Sequence, residues 1–283
     1  IPLRLLNVRT GILCDRDGQL SLFESSPQYK EMLSSLERYD PSEQVNRIRS
    51  AVSSYFQYVT LSHKWGKGEP LLRDIQGRSI YNLTGGDGLV KLQRFCVTVL
   101  ERGYLWAWSD TCCIDKESSA ELQETIGSMF SWYRKSNLTV AYLSDVAEPG
   151  SLSCSTWLTR GWTLPELLAP QTMLFFAEDW SPYMGGTPSN HKTDPTVLHE
   201  LQEATGIAPE YLVNFYPGSA DARLRLQWAS MRRTSRPEDI AYALFGIFQV
   251  HLPVLYGESA ERALGRLLAE IISQSGDVVV LDW

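Results

Sequence analysis

Residues 58–70 read YVTLSHKWGKGEP. The first four, Tyr58-Val59-Thr60-Leu61, are aromatic, β-branched or aliphatic, and the run is too short for a helix of its own. The nine that follow hold two glycines, a proline and three charged side chains, which is the chemistry of a loop. The stretch predicts a buried strand that opens into a loop at Ser62. Downstream the same alternation repeats. Gly88 to Arg102 places Leu89, Leu92, Phe95, Cys96, Val99 and Leu100 at helical spacing and stops at Gly103. Leu105 to Trp108 is the next strand, running into Ser109-Asp110. Ala120 to Lys135 is a second helix, with Leu122, Ile126, Met129, Phe130 and Tyr133 on one face. Leu138 to Leu143 is a third strand ending at Ser144-Asp145, Thr163 to Leu168 a short helix, and Met173 to Phe176 a fourth strand. Strands separated by helical runs predict βαβ units and a mostly parallel sheet flanked by helices, an α/β core over residues 55–180.

From residue 190 to 283 the pattern is mainly helical and is expected to pack on that sheet, giving one domain over 1–283. Asp194-Pro195 caps a helix over Thr196 to Thr205, with Gly206 as its stop. Ser235-Arg236-Pro237-Glu238 matches a capping box ahead of an apolar helix through Ile240, Leu244, Ile247 and Phe248. A last helix runs from Ser259 to Ser273, and VVVLDW closes as a strand.

Composition narrows the function classes. Hydrophobic residues make up 43% of 283, enough for a substantial core, and there is no internal repeat. The net charge of −7, from 33 acids against 26 bases, argues against a nucleic-acid binder that works through a broadly positive surface. The five cysteines have neither disulfide-framework nor zinc-site spacing, so no metal is expected and a reducing, cytoplasmic setting fits. No apolar run approaches the roughly 20 residues of a membrane span, so no membrane partner is expected.

In an open parallel sheet, ligands bind beyond the carboxyl ends of the strands. That rule selects Ser62, His63, Lys64 and Trp65 after the first core strand, Asp110 and Cys112 after the second, and Ser144 after the third. Glu166 follows in LTRGWTLPELLAP, residues 158–170, an apolar segment with a single carboxylate. It is solvated, paired, or kept for chemistry, since a buried carboxylate without partners is expensive. Asp110 and Glu166 suit sugar hydroxyls, Lys64 suits phosphate, and Trp65 offers a stacking face. Each has a plainer reading: Trp65 as core, Lys64 as solvated surface, Asp110 as a turn cap, Cys112 as a small buried hydrophobe. Trp162 joins this set while also carrying weight to anchor its helix, and Arg232 and Arg233 either clamp phosphate or lie near Glu238 and Asp239 as ion pairs. Motifs for a hydrolase nucleophile, a phosphate loop or a dinucleotide loop are missing.

Six segments in order, YVTLSHKWG, WAWSDTCCIDKESSAELQETIGSMFSWYRKS, VAYLSDV, WLTRGWTLPELLAP, MRRTSRPEDIAYALFGIF and PVLYGE, resemble the heterokaryon incompatibility (HET) domain proteins of filamentous fungi. The likeness runs from RLLNVRT to the closing DW. Pro165 stands where the family usually has glutamine, and Glu166 is in place. The resemblance implies a cell-death effector in fungal non-self recognition and a TIR-like (flavodoxin-like) core. LTVAYLSDV, then S-x-W, then W-T-L-P-E-L is similar to the TIR pattern in which a glutamate cleaves NAD, and that glutamate falls on Glu166.

The reading is therefore an NAD glycohydrolase active on self-association, with NAD as substrate rather than cofactor. Glu166 is expected at the ribose, where a carboxylate steadies oxocarbenium-like charge. The alternatives are an assembly module that binds a nucleotide or partner without turnover, and a biosynthetic enzyme acting on another small molecule.

Overall fold

Tyr58 to His63 form a strand in which all six side chains are buried, and its β-branched and aromatic members suit a pleated surface covered on both faces. The computed structural model describes residues 1–36, 38–186 and 188–282. The chain divides into two compact units: Ile1–Leu61 with Trp65–Ile114, and Ser62–Lys64 with Asp115–Trp283.

The first unit opens with the hairpin β1 (Leu5–Asn7) and β2 (Ile12–Cys14), followed by α1 (Arg16–Ser25), α2 (Pro27–Leu36) and α3 (Pro41–Tyr55). Next come β3 (Tyr58–His63), a four-residue turn of helix α4 (Leu72–Ile75), α5 (Asp87–Glu101) and β4 (Trp106–Ser109). The strand order is β2-β1-β4-β3. The pair β3 and β4 is parallel, with Val59 opposite Ala107, while β1 is antiparallel to β2 and to β4. The expected βαβ unit is present and pairs in parallel, but the sheet is mixed, because the hairpin ahead of residue 55 adds antiparallel members. Its antiparallel members were not expected, because three-residue strands are too short to carry a period of two. Helix α5 buries Leu89, Leu92, Phe95, Cys96 and Val99. The leucine, phenylalanine and valine side chains among them each contribute roughly 1.5–3 kcal/mol on burial. Gly103, at φ +80°, ends the segment in the left-handed conformation that glycine adopts without strain.

The second unit contains α6 (Ser119–Lys135), β5 (Leu138–Tyr142), α7 (Thr163–Leu168) and β6 (Met173–Phe176). It continues with α8 (Pro195–Thr205), α9 (Pro209–Val213), α10 (Ala222–Ser230), α11 (Asp239–Tyr242), α12 (Phe245–Phe248) and α13 (Ala260–Ser275). β5 and β6 are parallel, with Val140 opposite Leu174. Ser118 caps α6 by accepting from Glu121 N, and Asp194 caps α8 by accepting from Thr196 N and Val197 N. α9 packs on α7, and α12 on α6.

Two local expectations fail here. The apolar helix after Ser235 is broken into α11 and α12, and its capping box does not form: Glu238 accepts instead from Gly257 N at 3.0 Å, across 19 residues. Val278–Asp282 form a 3-10 turn rather than a strand, and Trp283 lies outside the described residues. Asp277 N donates to Ser275 Oγ and Val279 N to Asp277 Oδ1, so side-chain acceptors engage the backbone that a strand would need. No helix among the described residues is long and apolar enough to cross a membrane.

Candidate functional site

Glu166 lies in the first turn of α7, whose six residues are all buried; Glu166 itself is 5% exposed. Pro165 fits one residue earlier because a backbone N–H in the first turn has no intrahelical acceptor to lose. Ser62, near the end of β3 and fully buried, donates its hydroxyl hydrogen to the Glu166 carboxylate. The Ser62 oxygen accepts in turn from Trp157 Nε1 at 2.8 Å. Strand end, indole and carboxylate thus form a fixed polar chain in the interior, where satisfied polar groups rigidify their surroundings.

Trp157 is placed by a 3-10 turn, Thr156–Thr159. The Ser155 hydroxyl accepts from Trp157 N at 3.2 Å and donates to Asp145 Oδ1 at 2.7 Å. Asp145 Oδ2 accepts from Thr156 N at 2.8 Å and from the Thr156 hydroxyl. Burial pulls the Asp145 carboxyl up, but the hydrogen bonds from Thr156 and Ser155 outweigh it and hold the group below its usual range. Lys64 Nζ reaches the Thr156 hydroxyl at 3.4 Å.

Both ends of α7 are braced by buried cations. Arg232, 6% exposed, donates from Nη1 to Arg160 O and to the Thr163 hydroxyl, each at 3.0 Å, and from Nε to Trp228 O. Burial lowers its pKa to about 10, with the negative charge of Glu166 pulling the other way. Gly161 lies just before this helix, where an added Cβ would meet Thr234 Cγ2 at 2.4 Å, so no larger residue fits there unmoved. At the other end Lys192, fully buried, donates from Nζ to Leu167 O at 2.9 Å and to Pro170 O at 2.7 Å. Burial, with the nearby charge of Arg134, pulls its pKa down to about 7.

The second unit thus brings Ser62 and Glu166 together, joins Lys64 to their surroundings through Thr156, and sets Arg232 at the start of α7. His63 is buried beside Ser62 in the strand. Trp162 is half-buried, and its indole N–H is engaged by Asp239 Oδ2 at 3.0 Å, while Asp239 Oδ1 accepts from Tyr256 OH. Ser144 and Arg233 are exposed. Arg233 contributes backbone, donating N–H to Thr159 O and accepting from Gly161 N. In the first unit, Trp65 is 41% exposed and donates Nε1–H to Asp110 Oδ2 at 2.8 Å. Cys112 is fully buried; a hydrogen bond with Cys113, and then burial, hold its thiol well above the usual range, which removes it as a thiolate nucleophile. Cys14, Cys96 and Cys113 are buried as well, and Cys154 is exposed, immediately before Ser155.

Sequence reasoning passed over Trp157 as a hydrogen-bond donor, although the S-x-W pattern contains it. It also passed over Thr163 as a hydrogen-bonding residue, although W-T-L-P-E-L contains it, and over Lys192, which lies in none of the quoted segments. Among the described residues no group of three His, Cys, Asp or Glu side chains is gathered as for a metal ion.

The heterokaryon incompatibility protein (HET) family model matches residues 58–153, a span that includes Ser62 and Asp145 and stops short of Glu166. The vegetative incompatibility protein HET-E-1 of Podospora anserina is 39% identical over 234 residues, 77% of this chain. The chain spans 16% of that relative's length. No solved structure matches the chain.

Proposed function

We propose that this chain, which belongs to the heterokaryon incompatibility (HET) domain family, is the effector module of a fungal incompatibility system and acts by hydrolysing NAD at Glu166. The observation that carries the reading is the hydrogen-bonded chain from Trp157 through Ser62 to Glu166. It fixes one carboxylate at a strand end of an α/β unit, where such folds bind ligands. In the reaction the ribose C1′–nitrogen bond breaks with its electron pair leaving on nicotinamide. Water adds to C1′ and loses a proton, giving ADP-ribose. Glu166 is assigned the stabilisation of positive charge on the ribose, and no covalent nucleophile is needed. The TIR-like character of the core belongs to this proposal, as do activation by self-association and a cytoplasmic setting.

A second reading is favoured by a specific observation: Glu166 is 5% exposed and takes the Ser62 hydroxyl, as a structural strut would. On that reading the module signals by assembly without turnover. Incubation with NAD across a range of protein concentrations separates the two. The hydrolase releases nicotinamide, more so where self-association is complete, and Glu166→Gln abolishes release with a melting temperature close to the parent's. Glutamine keeps an oxygen acceptor for Ser62, so the fold tolerates the change. Release by the variant at the parent's rate removes Glu166 from the chemistry, and no release at any concentration leaves the assembly reading standing.

A further inference from the structure

A cavity of about 600 Å³ lies in the first unit, walled by α2, α3, the β1–β2 turn and residues 103–105 that lead into β4. We infer that it is a binding site for a nucleoside monophosphate. The chain carries a net charge of −7, yet this cavity presents two guanidinium groups, Arg9 and Arg47, against one carboxylate, Glu31. Neither arginine is in an ion pair among the described residues, and both side chains are exposed to solvent at the cavity wall. Asn7 Oδ1 accepts from Arg9 N at 3.1 Å and from Thr10 N at 3.2 Å, which orders the turn from which the Arg9 side chain extends. Arg47 lies with its guanidinium carbon 3.6 Å from the Tyr39 ring centroid. A guanidinium stacked by its face keeps its in-plane donors for a planar fork of oxygens, the geometry that recognises phosphate.

The rest of the wall suits what a phosphate would be attached to. Tyr55 and Tyr104 both line the cavity and are half-buried. Tyr55 is backed by Phe23, Phe56 and Trp106, with ring centroids 4.8, 5.0 and 6.1 Å away, so its ring is a rigid surface for a base to lie on. Gln57 adds an amide that both donates and accepts, as the edge of a base requires. The volume falls within the range of about 300–1,000 Å³ typical of small-ligand sites. Two guanidinium groups, one of them stacked on a ring, with an aromatic face and an amide together describe a phosphate monoester joined through a sugar to an aromatic base.

The test is calorimetric titration of the full chain with adenosine monophosphate as probe, and with adenosine and inorganic phosphate as controls. The inference does not rest on NAD hydrolysis. Glu166→Gln is therefore expected to bind the probe as the parent does, and loss of binding in that variant would put the site elsewhere. Arg9→Gln and Arg47→Gln should each weaken binding by about ten-fold or more, the effect of losing a charge-assisted hydrogen bond. Adenosine and phosphate should each bind more weakly than the monophosphate by a similar factor. Ser54→Trp, a neutral change on the cavity wall, should block binding while both arginines remain. The inference is overturned if the monophosphate gives no heat at millimolar concentration or binds no better than adenosine. It is equally overturned if folded arginine variants, judged by their melting temperature, bind it like the parent.

Discussion

Ser62 has one hydrogen and gives it to Glu166, and its oxygen takes the indole N–H of Trp157. Replacing it with alanine leaves a buried acceptor and a buried donor short of a partner at once. Ser62→Ala is expected to destabilise the chain by about 1–3 kcal/mol, measured as a lower midpoint in urea with an unchanged slope. A loss under about 0.5 kcal/mol would mean that neither group depends on the hydroxyl. The residue is legible in sequence because it directly follows a four-residue run of aromatic, β-branched and aliphatic side chains, and Glu166 because it is the single acid in an apolar segment. Their meeting is not legible: 104 residues separate them, and nothing in either neighbourhood encodes a distance. The same holds for Arg232 and Thr163, 69 residues apart. Lys192, set between His191 and Thr193, has the composition of a surface lysine. Its burial is tolerated because two carbonyls at the end of α7 accept hydrogen bonds from its amine.

At the scale of the element, α7 is too short to hold itself together by its own hydrogen bonds, and Lys192 is one of its braces. That amine has a pKa of about 7 in the folded chain against an ordinary 10.5. Between those values the unfolded chain binds more protons than the folded one, so stability rises with pH across that window, by up to about 1.4 kcal/mol per unit. Below pH 7 both states carry the proton and the contribution is flat. Urea midpoints at pH 7, 8 and 9 should therefore separate the parent from Lys192→Met, with the parent gaining on the variant as pH rises. Parallel curves would show that the amine does not titrate with folding. Elements with strong periodicity, such as α5, α6 and α13, were readable because burial follows a single stripe. Helix α3 buries none of its residues, yet Val45, Ile48, Val52 and Tyr55 stand at helical spacing behind the capping signal Asp40-Pro41, so the sequence carried two signals that could have found it. The closing VVVLDW misleads in the opposite sense: its β propensity is real, and the turn acceptors of Ser275 and Asp277 override it.

For the whole molecule, the α/β class follows from the order of strands and helices, while the mixed character of the sheet depends on pairing that short strands do not advertise. Long-range ties complete the second unit: Asp239 receives Trp162 and Tyr256, and Glu258 receives Tyr242 and Arg266. The distribution of thiols gives the folded chain a single chemical address. Cys14, Cys96, Cys112 and Cys113 are buried and Cys154 is exposed, so a maleimide should add once to the native protein and five times after unfolding, read as intact mass. Two or more equally fast native adducts would contradict that burial. Because Cys154 directly precedes the two hydroxyl residues that grip Asp145, an environment-sensitive dye placed there reports on the turn that positions Trp157, with no cysteine engineered in or out.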